Sequence, residues 1–282
     1  MLIKVLIENT AEKDRLDLKP QHGISLYLET LGRKIVFDLG QNHFFLENAQ
    51  KLAVKVEEVD WLVISHGHYD HGGGLASFLH KNKSGTVFLS QNSLTPFYAR
   101  RSGHEMKYIG LDVELISSHT GRFVFVSETN VPMAPGIVLL ANTCFNGFRP
   151  GGNDFLYKKI NDQYVPDDFH HELMLVVSEP DGDVVFTGCS HSGVTNMLRS
   201  YRAYFPRRSL KALVGGFHLT DSSSSLIMEP KRELQMLAKE IRTFRPLSIY
   251  TGHCTGDTAF QLLSQELGEV INRFRTGSEF TV

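Results

Sequence analysis

Ten residues constrain this chain more than any others: Ser65-His66-Gly67-His68-Tyr69-Asp70-His71-Gly72-Gly73-Gly74. They follow directly on Val59-Asp60-Trp61-Leu62-Val63-Ile64, an apolar run that reads as a buried strand. Residues two apart in an extended segment point the same way, so His66 and His68 can converge on one ion. Asp70 and His71 lie past the turn, where glycines free the backbone, and can serve a second ion. Imidazole and carboxylate together suit zinc, manganese, iron or cobalt better than magnesium or calcium. The fold must therefore deliver a strand end carrying four ligand-type side chains to a place where metal can sit.

The periodicity predicts alternating strands and helices around this cluster. Ile24–Leu28 and Lys34–Asp38 read as strands joined at Leu31-Gly32-Arg33, a hairpin-like turn. Asp38-Leu39-Gly40 leads into an amphipathic helix with Phe44, Phe45, Ala49 and Leu52 on one side. A helix from near Gly73 carries Leu75, Phe78 and Leu79, and Thr86–Leu89 is the next strand. The segment from Gln91 to Pro135 is less regular, with Phe123–Val126 as one strand in it. Phe145 to His170 reads as a long loop, and loops of that length inside a domain are usually functional.

Strands return at Leu173–Val177 and Asp183–Phe186, joined by the turn Glu179-Pro180-Asp181-Gly182. Helices follow at about Val194–Ala203, after Pro230, and from Ala259 to a stop at Gly268. Strands lie between them at Leu210–Val214 and Leu247–Tyr250. With no short repeat and no linker, the similar halves suit one internally pseudo-symmetric domain over 1–282.

With 29 basic and 31 acidic residues the net charge is −2, which gives no argument for nucleic acid or an anionic membrane surface. No apolar stretch approaches the roughly 20 residues that span a bilayer. Met1–Ile7 reads as a first strand rather than a signal peptide. Cysteines occur only at 144, 189 and 254. So sparse and odd a set argues against a disulfide scaffold and fits a reducing cytoplasm.

Three more histidines share one context, each after a β-rich run and among small residues. They lie in Gly188-Cys189-Ser190-His191-Ser192-Gly193, Gly215-Gly216-Phe217-His218-Leu219 and Thr251-Gly252-His253-Cys254-Thr255-Gly256. Strand ends beside glycine let backbone and ligand approach closely. One such histidine alone would read as a satisfied core residue; three with the opening cluster suggest a shared site.

The string His66-Gly67-His68-Tyr69-Asp70-His71 resembles the HxHxDH signature of the metallo-β-lactamase superfamily, and the later motifs follow in that family's order. The resemblance implies an α+β (α/β) chain built as a four-layer αβ/βα sandwich of two mixed sheets flanked by helices. It also implies a site for two divalent metal ions, zinc ahead of manganese, iron or cobalt. Carried over residue by residue, it makes His66, His68, Asp70, His71 and His253 metal ligands. Phe186-Thr187-Gly188-Cys189 matches the segment where hydrolases of the family carry a bridging Asp. No Asp stands there, so either Cys189 is a ligand or His191 takes over, and His191 is the preferred choice.

The family's upstream histidine is hard to place. His170-His171-Glu172 precedes the strand, and His171 or Glu172 can reach a metal or support a ligand. Asp38 matches a family position and has two readings: it orients a metal-bound imidazole, or it caps the helix after it. The combination with Gly215-Gly216-Phe217-His218-Leu219 is narrower than the superfamily. It resembles the subgroup holding the archaeal synthase that joins a dihydropterin methyl diphosphate to ribofuranosyl-aminobenzene phosphate. His218 matches that subgroup's motif without a counterpart among the ligands, and is expected to face substrate or carry a proton.

The implied activity is hydrolysis of a phosphorylated or ester-bearing small molecule by a metal-bound hydroxide, with Asp70 and His218 as catalytic residues. Two alternatives stand beside it. A transferase would displace diphosphate with an aryl amine, and a sensor would bind metal without turning anything over. A di-iron redox centre is disfavoured, since family members of that kind carry Glu where His68 stands. Arg100 and Arg101, near Phe97 and Tyr98, and Phe148 in the long loop are candidates for binding a phosphorylated, ring-bearing substrate. No nucleic-acid or membrane partner is expected, and the oligomeric state is not legible.

Overall fold

Leu31 and Gly32 both take left-handed backbone, with φ of 47° and 74°, and close a two-residue turn between strands Ser25–Thr30 and Arg33–Phe37. Thr30 opposes Arg33 and Leu26 opposes Phe37, so the hairpin expected at this point forms in full register. Paired left-handed residues match the twist of the strands they join. From this hairpin a seven-stranded mixed sheet grows in both directions.

In the computed structural model, which describes residues 1–282 except 102, 128, 142, 144, 145 and 221–226, the chain forms two units. Cys144 and Phe145 lie outside the described residues. The first unit is Met1–Ser127, Tyr157–Val165 and Phe274–Val282; the second is Glu128–Leu156 and Pro166–Arg273.

In the first unit the sheet runs Glu279–Thr281, Leu2–Ile7, Ser25–Thr30, Arg33–Phe37, Trp61–Ile64, Thr86–Ser90, Phe123–Val126. Its first three pairings are antiparallel and its last three parallel. Helices Phe44–Lys51, Leu75–Lys81 and Val113–Ser118 supply Phe45, Ala49, Phe78 and Ile116 to an apolar cluster with Val36, Leu62, Ile64, Val87 and Leu89 of the strands. Val63, on the opposite face, is buried too, so the run Leu62-Val63-Ile64 carries no polar alternation.

The second unit repeats that ladder. Its sheet runs Val131–Ala134, Ile137–Leu140, Met174–Glu179, Gly182–Phe186, Leu210–Val214, Ser248–Thr251, Ile271–Arg273. Again three antiparallel pairings are followed by three parallel ones. Helices Val194–Tyr204, Lys231–Thr243 and Asp257–Leu267 bury Leu198, Leu237, Ala238 and Leu263 with Val185, Leu213 and Ile249. The last helix ends at Gly268, left-handed at φ 66°, as the sequence predicts.

The α+β class with two mixed sheets and helices is therefore as expected. The long loop expected over 145–170 is a correction. It holds strands Leu156–Ile160 and Gln163–Pro166, joined at Asn161 (φ 48°) and Asp162 (φ 62°). These join Phe97–Arg100 and Met106–Tyr108 in a four-stranded sheet. Lys158 and Lys159 give the strand a polar look that masks its alternation, although Asn161-Asp162 is a turn signal between the strands. Among the described residues no helix is long and apolar enough to cross a membrane.

Candidate metal centre

In each unit the chemistry-bearing residues stand at the carboxyl ends of adjacent parallel strands, the usual ligand edge of such sheets. In the first unit they follow Arg33–Phe37 and Trp61–Ile64; in the second, Gly182–Phe186, Leu210–Val214 and Ser248–Thr251. Four residues at these strand ends take left-handed backbone without being glycine: Asp38 (φ 61°), Ser190 (58°), His218 (50°) and His253 (52°). Such residues cost about 1–3 kcal/mol each and gather where function holds them.

The first unit assembles His66, His68, Asp70, His71 and Asp38, all buried. Ring centroids of His66 lie 4.6 Å from His68 and 4.1 Å from His71. Asp38 is wholly buried and accepts three hydrogen bonds: Ser65 N–H at 2.7 Å, Ser65 Oγ–H at 2.7 Å and His71 Nδ1–H at 2.6 Å. Ser65 Oγ has one proton, given to Asp38. At 2.8 Å from His66 Nδ1 it must therefore accept, so His66 also carries its proton on Nδ1. Both rings keep the Nε2 lone pair that a metal takes. The helix after Asp38 has His43 at its N-cap and no side-chain cap bond, so Asp38 does not cap it; its side chain meets His71 instead. His22 Nε2 stands 3.2 Å from Asp70 Oδ2, a partner the sequence did not reveal.

The second unit assembles His171, Glu172, Cys189, His191, His218, His253 and Cys254. Asp167 Oδ2 lies 3.1 Å from His171 Nε2 and takes its proton, which leaves Nδ1 as that ring's donor atom. Glu172 uses Oε1 on His191 N–H (2.8 Å) and Oε2 on Ser192 N–H (2.7 Å). Both oxygens thus help to shape the loop around His191. Burial pushes the Glu172 carboxyl up against the pull of those donors and of His171. Gly193, at φ 91°, has to be glycine, because a Cβ would sit 2.0 Å from Phe148 O.

Ligand atoms of Cys189, His218 and Cys254 lie within 4.8 Å of one another. His218 N–H donates to Cys254 Sγ at 3.2 Å. Burial would push the Cys254 thiol up, but the Cys189 hydrogen bond and the charges of His253 and His218 outweigh it and hold it well below the usual thiol range. Cys254 is the residue that sequence reasoning missed as part of this site. Its signal was its place directly after His253 at a strand end.

The proposed substrate residues are placed less distinctly. Arg100 lies over the Tyr157 ring at 5.2 Å, and Arg101 N–H bonds Glu105 O within its hairpin. Phe148 packs against the apolar cluster of the second unit, and its carbonyl accepts from Asn196.

Residues 22–87 match the family model of the metallo-β-lactamase superfamily. The chain is 28% identical over 271 residues to the Methanocaldococcus jannaschii 7,8-dihydropterin-6-methyl-4-(beta-D-ribofuranosyl)-aminobenzene-5'-phosphate synthase, covering 91% of this chain and 88% of the relative. An uncharacterised protein of the same archaeon is also 28% identical, over 94% of each chain. A crystal structure described as a metal-dependent hydrolase of the β-lactamase superfamily superposes with a TM-score of 0.83 at 29% identity, over 100% of this chain and 99% of the other. The opening motif, the two mixed sheets and these similarities agree: the chain resembles the metallo-β-lactamase superfamily and shares its fold.

Proposed function

We propose that this protein is a metal-dependent hydrolase acting on a phosphorylated or ester-bearing small molecule. His66, His68, Asp70, His71, His191 and His253 are its ligands for two divalent ions, zinc first, with Cys189 and His171 as further donors. The observation that carries this reading is the proton placement at Asp38: one carboxylate turns the Nε2 lone pairs of both His66 and His71 outward. A neutral imidazole that carries its proton on Nδ1 and holds a lone pair at Nε2 is the form in which histidine binds metal through Nε2.

Bound metal supplies a nucleophile at neutral pH and positive charge against the reacting centre. The protein's own residues then do three things. Asp38 and Glu172 hold the imidazoles and the His191 loop. Asp70 adds an acidic donor beside His71, its Oδ2 lying 3.8 Å from the His71 Nε2. His218, in strained backbone at a strand end, carries a proton for the leaving group.

The transferase reading has its own support, the likeness over 91% of the chain to a protein named as a synthase. In that case an amine replaces water and diphosphate departs. Metal analysis of the purified protein comes first, followed by a screen of phosphodiesters, phosphomonoesters and lactones. Diphosphate release from an activated diphosphate, with and without an aryl amine, runs in parallel. Metal with ester or phosphate turnover supports the hydrolase; amine-dependent diphosphate release replaces it with the transferase. Bound metal with neither activity points to the sensor reading.

A further inference from the structure

The geometry points to Asn153 as the positioning residue that holds His191 in the Nδ1–H tautomer, the one that offers Nε2 to a metal, a step that rests on His191 being a ligand. Asn153 lies in the short turn Gly151–Phe155, inside the segment that the sequence presents as loop, and it meets His191 across 38 residues. Its Nδ2 donates to the His191 carbonyl at 2.7 Å, and its Oδ1 stands 3.2 Å from His191 Nδ1. The first contact fixes the amide: reversed, it would set oxygen against the carbonyl oxygen. With Oδ1 facing the ring, Nδ1 has to bring the proton, and a neutral imidazole then presents a lone pair at Nε2.

Other contacts hold the ring and its loop in place. Phe169 stacks on His191 at 4.8 Å and 9° between planes, and Glu172 grips only the backbone N–H groups. The turn itself is tied down nearby. Gly151 N–H donates to Glu229 Oε1 at 2.7 Å, and Gly152 lies so close to His218 that a Cβ would come 2.8 Å from its Nε2. One turn therefore sets the proton on one site histidine and presses against the other. The buried Glu229 is its anchor.

The test reads the tautomer directly, in metal-free full-length protein, by long-range ¹H–¹⁵N correlation of labelled histidine above the imidazole titration range. His191 is expected in the Nδ1–H form in the wild type, and in a mixture in Asn153→Leu. Zinc affinity by chelator competition should fall about 10–100-fold in Asn153→Leu, the usual scale for a lost orienting partner. Asn153→Asp keeps an oxygen for Nδ1–H but sets its other oxygen against the His191 carbonyl, so it should keep the Nδ1–H form while zinc affinity recovers only in part. A wild-type tautomer and wild-type zinc affinity in Asn153→Leu would overturn the assignment, as would an Nε2–H form in the unaltered protein. The tautomer needs no metal, so a chain that binds no zinc at all fails the ligand reading separately from this one.

Discussion

Replacing Asp38 by Asn tests how much of the metal site hangs on one carboxylate. Asn is nearly isosteric and tolerates the left-handed backbone at this position, so the substitution changes proton placement rather than shape. Oδ1 can still accept from Ser65 N–H, but an amide NH₂ now takes the place of Oδ2, where Ser65 Oγ–H and His71 Nδ1–H both donate. To avoid two donors facing a donor, Ser65 turns its hydroxyl and His71 moves its proton to Nε2. Ser65 then donates to His66 Nδ1, and His66 shifts its proton as well. Two lone pairs are withdrawn from the metal side by one change of atom.

The loss of one orienting partner costs about 10–100-fold in metal affinity, and here two rings are disturbed through a single network, so the upper end is expected, about 100-fold or about 2.7 kcal/mol. The metal-free fold should lose about 1–3 kcal/mol, because the wholly buried donors no longer find a full set of acceptors. Ser65→Ala cuts only the relay to His66 and should cost near the lower end, about tenfold. Because the pair acts as one unit, the double variant should fall short of the sum. Chelator competition reads the affinities and denaturant titration the stability. A folded Asp38→Asn that binds zinc as the wild type does would show that Asp38 does not set these imidazoles, and the reasoning would be wrong.

Three further outcomes are expected. His218→Ala should leave metal content unchanged and lower turnover of the substrate found in the screen by about 10²–10⁴, with His218→Asn as the control that tolerates the left-handed backbone; metal loss would make His218 a ligand. Cys189 and Cys254, which form no disulfide among the described residues, should alkylate fully in unreduced, unfolded protein, and the loss of two thiols by mass would count against a reducing habitat. Tyr201 donates to Asp183 at 2.9 Å, and burial followed by that carboxylate raises its pKa above the usual tyrosine range. Its stabilisation is then present below the unfolded tyrosine pKa of about 10 and is lost as pH rises beyond it, so Tyr201→Phe should show a shallower alkaline decline in denaturation midpoint than the wild type. An equal decline in both would remove Tyr201 from the alkaline transition.

Local patterning reached some parts of this protein and missed others. The turn at Leu31-Gly32, the helix stop at Gly268 and the apolar strands were legible because each is decided by residues within a few positions. The hairpin around Asn161-Asp162 was missed because its strands carry lysines and bury little on one face, so the period of two was masked. Phe148 looked like a ring for stacking substrate, and its packing against the apolar cluster of the second unit could not be seen from its neighbours in sequence.

The sequence by itself determined which residues can bind metal, and that they stand at strand ends. The spacing of His66, His68, Asp70 and His71 is a property of a few consecutive dihedrals. Only the tertiary structure decided how those side chains hold their protons. Asp38 reaches Ser65 because Phe37 pairs with Val63 in a parallel ladder, and Asp38 N–H bonds Val63 O at 2.9 Å. Cys254 comes beside His218 because Val214 pairs with Tyr250. Glu172 and Asn153 reach His191 from 19 and 38 residues away. A proton's position on an imidazole depends on which atom faces each nitrogen at about 3 Å, and strand register sets that, not spacing along the chain.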